Sequence, residues 1–502
     1  MANPDRILSL DDLLQGKGKS SKSFWVFADD NVDYLTRIAT SQTTQFSIGD
    51  KCLRIPSIKF VTNYNGADIL EFDGSQIYDD KGLVQSVEEG KKYNTKGTVS
   101  CGGGLVCRAP VRLYIERVQL GGGGINMLRA LSQHSKDMTK LYTSLHVDNH
   151  ATGHGVAKLE RIVQDYQAHL NGEQFSRERF RTVLSDAQKF TDWHLLEILL
   201  MQMNVQDRLI YVGSEGGNEA KNLVIYQVED EHGRLGIHDK IILRGTKITN
   251  PIVPQENNWS ETNVGTIVIN STSSPDVFAA AMNQYRQTKS TYTNVLGIVC
   301  LTEKMDPLYA KVTEEAISNR FITIFNETEV LKYWSPKRDS KLDVNGIYLN
   351  ELFEAIKKVW QNQGENHSRV YVTLGNFGCL GVDENGDIYR VSVFKFDSND
   401  LNTNGAGDTF ASVVARLEHE RRHNGIERDM LDIMALASGT AAYLIESQNS
   451  GRTLTETNIK GYLKNKELNY EVIGNIEGPG SQFVGKLSQH PISSKYEVLK
   501  CK

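Results

Sequence analysis

Asn402-Thr403-Asn404-Gly405-Ala406-Gly407-Asp408-Thr409-Phe410 gathers the residue types that a phosphoryl transfer to an alcohol requires. Phe410, Val413, Val414 and Leu417 follow at helical spacing, which predicts a helix beginning at about Asp408. Two glycines around one small residue let the backbone turn sharply with its N–H groups bare. At the positive end of a helix such amides make an anion site suited to a phosphate. A carboxylate there repels a phosphate, so Asp408 makes sense only if something must lose a proton beside it. A hydroxyl attacking a γ-phosphoryl group needs both parts together: donors at Gly405, Ala406 and Gly407 for the transferring oxygens, and Asp408 as base for the alcohol. The plainer reading is a glycine turn entering a helix, with Asp408 as its cap.

The elements that must position this stretch show in the pattern around it. Val264–Ile269, Val295–Leu301, Phe321–Phe325 and Val370–Leu374 read as strands. Asp276–Arg286, Tyr309–Ser318, Leu349–Gln361 and Met430–Ile445 read as helices. Strands alternating with helices predict a parallel sheet with helices on both faces. Ser23–Ala28 is one more short buried strand, running into Asp29-Asp30-Asn31-Val32-Asp33. Ligands of open α/β sheets sit outside the carboxyl ends of strands, so that acidic cluster is a candidate site, although a polar turn closing the strand explains it as well.

Residues 34–118 alternate short apolar segments with glycine and asparagine turns, a β-rich pattern set into the chain after its first strand. Asn222–Glu229 and Leu235–Ile242 look like paired strands, and residues 134–206 look mostly helical. His146, His150 and His154 are four apart, the spacing of metal ligands on one helical face, but Gly153 and Gly155 would interrupt that helix. A solvated loop is the preferred reading there.

Composition narrows the class. With 502 residues, 39% hydrophobic and 24% charged, the chain can bury a sizeable core in one large α/β domain or two to three ordinary ones. A net charge of −6 gives no basic surplus for a nucleic-acid backbone. Residues 1–22 are polar and of mixed charge, a leader without the apolar run of a signal peptide, and Leu195–Met203 is too short to span a bilayer. The six cysteines show no CxxC pair and read as reduced thiols of a cytoplasmic protein, with a bridge between Cys101 and Cys107 as the second choice.

Four further motifs stand in order along the chain. Asn31 and Asp33 form Asn-x-Asp, and Gly121-Gly122-Gly123-Gly124-Ile125-Asn126 is a glycine run before a helical stretch. Asn326 and Glu329 form Asn-x-x-Glu after a strand, and Val372-Thr373-Leu374-Gly375-Asn376-Phe377-Gly378 ends another strand. Each has an ordinary explanation: a polar turn, a glycine turn, an Asn-capped helix start, and a tight strand-to-strand turn. Together with Gly405–Asp408, their order resembles the ribokinase-like (PfkB) carbohydrate kinase family. That family's signature is Asp-Thr-x-Gly-Ala-Gly-Asp-x-Phe, and here Asn402 replaces its first Asp.

The resemblance implies a ribokinase-like three-layer α/β/α fold at 23–450, with 34–118 as an unusually large β-sheet lid. Residues 451–502 extend past the family's usual end and receive no role. Asn31, Asp33, Gly121, Gly122 and Asn126 would bind the acceptor. Thr373, Gly375 and Gly378 would shape the nucleotide bed, and Asn326 and Glu329 would hold the phosphates and Mg²⁺, the ion through water. Ala437, Gly439 and Ala441 correspond to the helix lining the adenine pocket, where small residues are equally ordinary helix packing. The implied activity is transfer of the γ-phosphoryl of ATP to a hydroxyl of a sugar or sugar derivative. A homodimer through the lid is the assembly the resemblance allows, with no nucleic-acid or membrane partner. Gly123 stands where ribokinases proper often have Lys, so ribose does not follow automatically. A nucleoside kinase and a non-catalytic member of the fold are the alternatives.

Overall fold

The fold is described from a computed structural model. It describes residues 22–28, 31–38, 52–54, 58–64, 67–72, 78–79, 82–83, 111–121, 123–124, 126–127, 139–146, 209–214, 221–225, 228–229, 235–236, 241–244, 264–270, 275–291, 295–300, 307–334, 347–392, 394, 396, 405–447, 456–464, 466–487 and 494–497. The chain divides into two compact units, one of residues 1–29, 123–142 and 253–502, the other of residues 30–122 and 143–252.

Apolar runs without alternation form the centre of the first unit, as expected of strands covered on both faces. They are β1 (Ser23–Phe27), β2 (Val264–Ile269), β3 (Leu296–Cys300), β4 (Ile322–Asn326) and β5 (Val370–Thr373). Neighbouring strands are parallel, in the order β1-β2-β3-β4-β5, and residues 139–142 pair in parallel with the other side of β1. Every residue of β2 is buried. Beyond β5 the sheet turns antiparallel through β6 (Cys379–Val382), β7 (Asp387–Val391), β8 (Glu467–Asn475) and β9 (Ser494–Glu497). Residues 451–502, which the sequence left without a reading, therefore supply the last two strands of this sheet.

The helices are α1 (Pro275–Thr291), α2 (Pro307–Ser318), α3 (Glu327–Trp334), α4 (Ile347–Gln361), α5 (Ala406–His423), α6 (Met430–Ser447), α7 (Glu456–Leu463) and α8 (Gly480–Leu487). α5 buries Phe410, Val413, Val414 and Leu417, the stripe legible in the sequence, but also Arg416, Glu418, His419 and Glu420. Glu418 is wholly enclosed. It accepts hydrogen bonds from Tyr371 Oη at 2.5 Å, Arg369 Nη1 at 3.2 Å and Arg421 Nε at 2.8 Å. A buried carboxylate left without such partners would be costly, so this network ties the C-terminal half of α5 to β5. α8 lies against α4 through the Phe353–Phe483 ring pair, with centroids 5.1 Å apart.

The second unit holds a nine-stranded sheet. Within it, Asn31–Ile38 runs antiparallel to Val111–Gly121 and parallel to the central strand, Lys221–Ile225. Lys221–Ile225 pairs in turn with Ile241–Arg244, and Val228–Glu229 with Leu235–Gly236, so the expected strand pairing on either side of residues 231–233 is present. Thr139–His146 is a strand rather than part of a helical stretch. Residues 147–206, including His150 and His154, lie outside the described residues, and among those described no cluster of three potential metal ligands occurs. No helix among the described residues is long and apolar enough to cross a membrane.

Candidate active site

In a parallel sheet all carboxyl ends share one edge, so the residues finishing β2 to β5 form a row. That row is Asn270, Cys300, Asn326 and Thr373. The register carries it from strand to strand, with Ile269 opposite Val299, Cys300 opposite Ile324, and Asn326 opposite Thr373. Asn270 extends the end of β2 by donating its backbone N–H to Phe27 O at 2.8 Å.

Asp408 lies in the first turn of α5. Gly405 is the residue before that helix, left-handed at φ 73, and its carbonyl accepts the helix's first hydrogen bond from Thr409 N–H at 2.9 Å. A Cβ on Gly405 would approach the Asn126 side chain to 3.1 Å, so both conformation and space favour glycine. Space around Gly407 is open, and the residue is exposed. The N–H groups of 406, 407 and 408 belong to the first turn, where no intrahelical acceptor exists. Residues 402–404 lie outside the described residues.

Two amides hold the Asp408 carboxylate. Asn126 Nδ2 donates to Oδ2 at 2.8 Å, and Asn270 Nδ2 donates to Oδ1 at 3.1 Å. The resemblance assigns Asn126 to substrate hydroxyls, and the structure places its amide on Asp408. An ionised carboxylate offers about four acceptor positions, so two amide contacts are compatible with a further hydrogen bond from a substrate hydroxyl. Asn270, buried to 2% exposure, was not singled out from sequence. The available signal was its position directly after a correctly located strand.

Asn326 and Glu329 cap α3 reciprocally: Asn326 N–H donates to Glu329 Oε2 at 2.7 Å, and Glu329 N–H donates to Asn326 Oδ1 at 2.8 Å. This capping box presents oxygen donors at the sheet edge. Burial pushes the Cys300 thiol well above its usual range, and the charges of Asp408 and Glu329 push it further the same way. Cys300 is thus a buried neutral thiol at the carboxyl end of β3, a second residue of this edge without a motif of its own.

Thr373 donates its hydroxyl to Phe325 O at 3.3 Å. Residues 374–378 form a tight turn into β6, closed by Leu374 N–H to Gly378 O at 2.8 Å and Gly378 N–H to Gly375 O at 3.2 Å. Gly375 has φ 53 with open space beyond it, whereas a Cβ on Gly378, at φ 91, would sit 1.9 Å from Val391 O. Phe377 is exposed on this turn. On α6, a Cβ at Gly439 would meet Leu463 Cδ2 at 2.6 Å, and Ala437 is fully buried, so packing accounts for these two small residues.

Asn31, Asp33 and Gly121 fall in the second unit, where Asn31 stands opposite Gly121 and Asp33 opposite Gln119 in the register. Gly122 lies outside the described residues. The chain therefore groups Asn-x-Asp with the start of the glycine run in one unit, and Asn126 with Asp408 in the other.

Residues 242–457 match the family described as pfkB family carbohydrate kinase. No curated protein matches the chain. Among solved structures, ribokinase from Giardia lamblia is similar at TM-score 0.50 and 12% identity, covering 88% of this chain and 99% of that one. Ribokinase from Thermotoga maritima gives 0.46 at 13% identity, covering 88% of this chain and 100% of that one. Adenosine kinase from Schistosoma mansoni gives 0.49 at 12% identity, covering 85% of this chain and 96% of that one. At these identities the likeness concerns the fold. The fold is ribokinase-like, and the segment that carries Asn270, Asn326, Glu329 and Asp408 lies within the stretch similar to the pfkB family of carbohydrate kinases.

Proposed function

We propose that this protein transfers the γ-phosphoryl group of ATP to a hydroxyl of a sugar or sugar derivative, with Asp408 as the general base. The observation that carries this reading is the Asp408 carboxylate held by two amides in the first helical turn, beside the N–H groups of 406–408. The carboxylate accepts the proton of the attacking hydroxyl, and the helix N-terminus receives the oxygens of the transferring group. Gly405, Ala406 and Gly407 form the anion hole, and Thr373, Gly375 and Gly378 contribute to the nucleotide bed.

The oxygen donors of Asn326 and Glu329, already used once each in capping, fit a hydrated Mg²⁺ held through water better than a directly ligated ion. When bound, that ion would offset the negative charge of the phosphates. Asn31, Asp33, Gly121 and Gly122 keep the acceptor-binding role proposed from motif order. For Asn126 the contact with Asp408 adds the role of orienting the base. A cytoplasmic location fits the reduced-thiol reading of the cysteines.

The test is a nucleotide-consumption screen of the purified protein against sugars, sugar phosphates, polyols and nucleosides. ATP-dependent turnover of a sugar-class acceptor is the expected result. Turnover of nucleosides alone would reassign the acceptor, and silence across the panel would overturn the catalytic reading.

A further inference from the structure

We infer that Asn270 is a positioning residue for the Asp408 base, and that Gly123 is glycine because a side chain there would displace the Asn270 amide. The inference rests on the function proposed above. Asn270 is held from two directions. Its backbone N–H is fixed to Phe27 O at 2.8 Å, and its side chain is buried to 2% exposure. Its amide therefore has a defined place from which to meet Asp408 Oδ1 at 3.1 Å. Asn126 meets the other oxygen at 2.8 Å. One amide alone would leave the carboxylate able to turn about its Cβ–Cγ bond, whereas two donors on separate elements set the plane of the group.

Gly123 supports this from a third segment. A Cβ built on it lies 2.6 Å from Asn270 Nδ2 and 3.2 Å from Asp408 Oδ1, and 2.6 Å is a distance real Cβ atoms essentially never show. Any residue but glycine would thus push the amide away from the carboxylate. The resemblance alone treats the glycine run as space for the acceptor. The geometry assigns this glycine a second duty, keeping the base oriented.

The experiment measures kcat, acceptor KM, nucleotide Kd and melting temperature for Asn270→Ala, Asn270→Asp, Gly123→Ala and the Asn270→Ala/Gly123→Ala double variant. A misplaced base loses rate rather than binding, so Asn270→Ala lowers kcat about 10- to 100-fold with KM and Kd little changed. Asn270→Asp keeps the shape but removes the donor, and it falls at least as far, which separates positioning from packing. Gly123→Ala lowers kcat in the wild type but by no more than about threefold in the Asn270→Ala background, since the amide it displaces is gone. Wild-type kcat in Asn270→Ala overturns the inference. An equal Gly123→Ala effect in both backgrounds, carried mainly by KM, also overturns the assigned duty of Gly123 and returns it to substrate clearance. If the wild-type protein phosphorylates nothing, the proposed function itself falls and takes the inference with it; an active wild type beside unaffected variants removes the inference alone.

Discussion

Replacing Asp408 by Asn is the most demanding perturbation, because it changes chemistry and local hydrogen bonding at once. Asn cannot accept the hydroxyl proton, and loss of a positioned general base costs ~10²–10⁴ in rate. That range corresponds to about 2.7–5.5 kcal/mol of transition-state stabilisation. The structure adds a second effect. Both groups on the carboxylate are NH₂ donors, Asn126 Nδ2 at 2.8 Å and Asn270 Nδ2 at 3.1 Å. A carboxamide at 408 has one oxygen and one NH₂ of its own, so in either orientation one donor meets another. Leaving a largely buried donor unsatisfied costs about 1–3 kcal/mol. Steady-state turnover, calorimetric nucleotide binding and urea denaturation together test the argument. The expected result is a rate loss within that range, undiminished nucleotide affinity and a lower denaturation midpoint. Turnover within a few-fold of wild type would refute the assignment of the base. An unchanged midpoint would refute the two-amide geometry around it.

Glu329→Gln should raise the Mg²⁺ concentration giving half-maximal rate, since one anionic partner of the hydrated ion is lost; an unchanged titration would confine Asn326 and Glu329 to capping α3. Gly378→Ala should destabilise the protein by at least ~1–3 kcal/mol in urea denaturation, because φ is 91 and the new Cβ falls 1.9 Å from Val391 O; a midpoint equal to wild type would contradict that turn. Burial depresses His419 from 6.5 to about 3, helped by its neighbours His423 and Lys22, and its Nδ1 lies 2.7 Å from Thr266 Oγ1. The adjacent His423 is lowered as well, by burial first and then by Lys22 and Arg422, against the raising effect of its contact with Gly265 O. A folded pKa below the unfolded one means the neutral form stabilises the fold above pH 6.5, and that contribution is lost as pH falls from there towards 3. The slope is at most about 1.4 kcal/mol per pH unit for one site. Melting curves from pH 7.5 to 4.5 should therefore fall less steeply for His419→Gln than for wild type, and parallel curves would exclude this linkage.

The sequence by itself determined the alternating α/β core and the glycine turn that opens α5. Buried parallel strands must be continuous apolar runs, and Val264–Ile269 matches to the residue. A glycine-bearing turn before a helical stripe can be read at Gly405–Asp408 because both signals are local. Periodicity served less well where the partner decided the outcome. Thr139–His146 is a strand, whereas the stretch around it read as helical. The apolar stripe on α5 gave no sign that Glu418 is enclosed, because its burial depends on Tyr371 of β5, on Arg369 just before that strand, and on Arg421. Asn270 and Cys300 are single residues with no motif of their own. Only the register of β2, β3 and β4, and the course of α5 along β2 from Asn270 back to Gly265, sets Asn270 against Asp408 and puts Cys300 within the field of both Asp408 and Glu329. Backbone propensity and hydrophobic period act over a few residues and are written locally. The two-amide clamp on the Asp408 carboxylate joins residues 126, 270 and 408, and contacts of that separation exist only once the sheet has assembled.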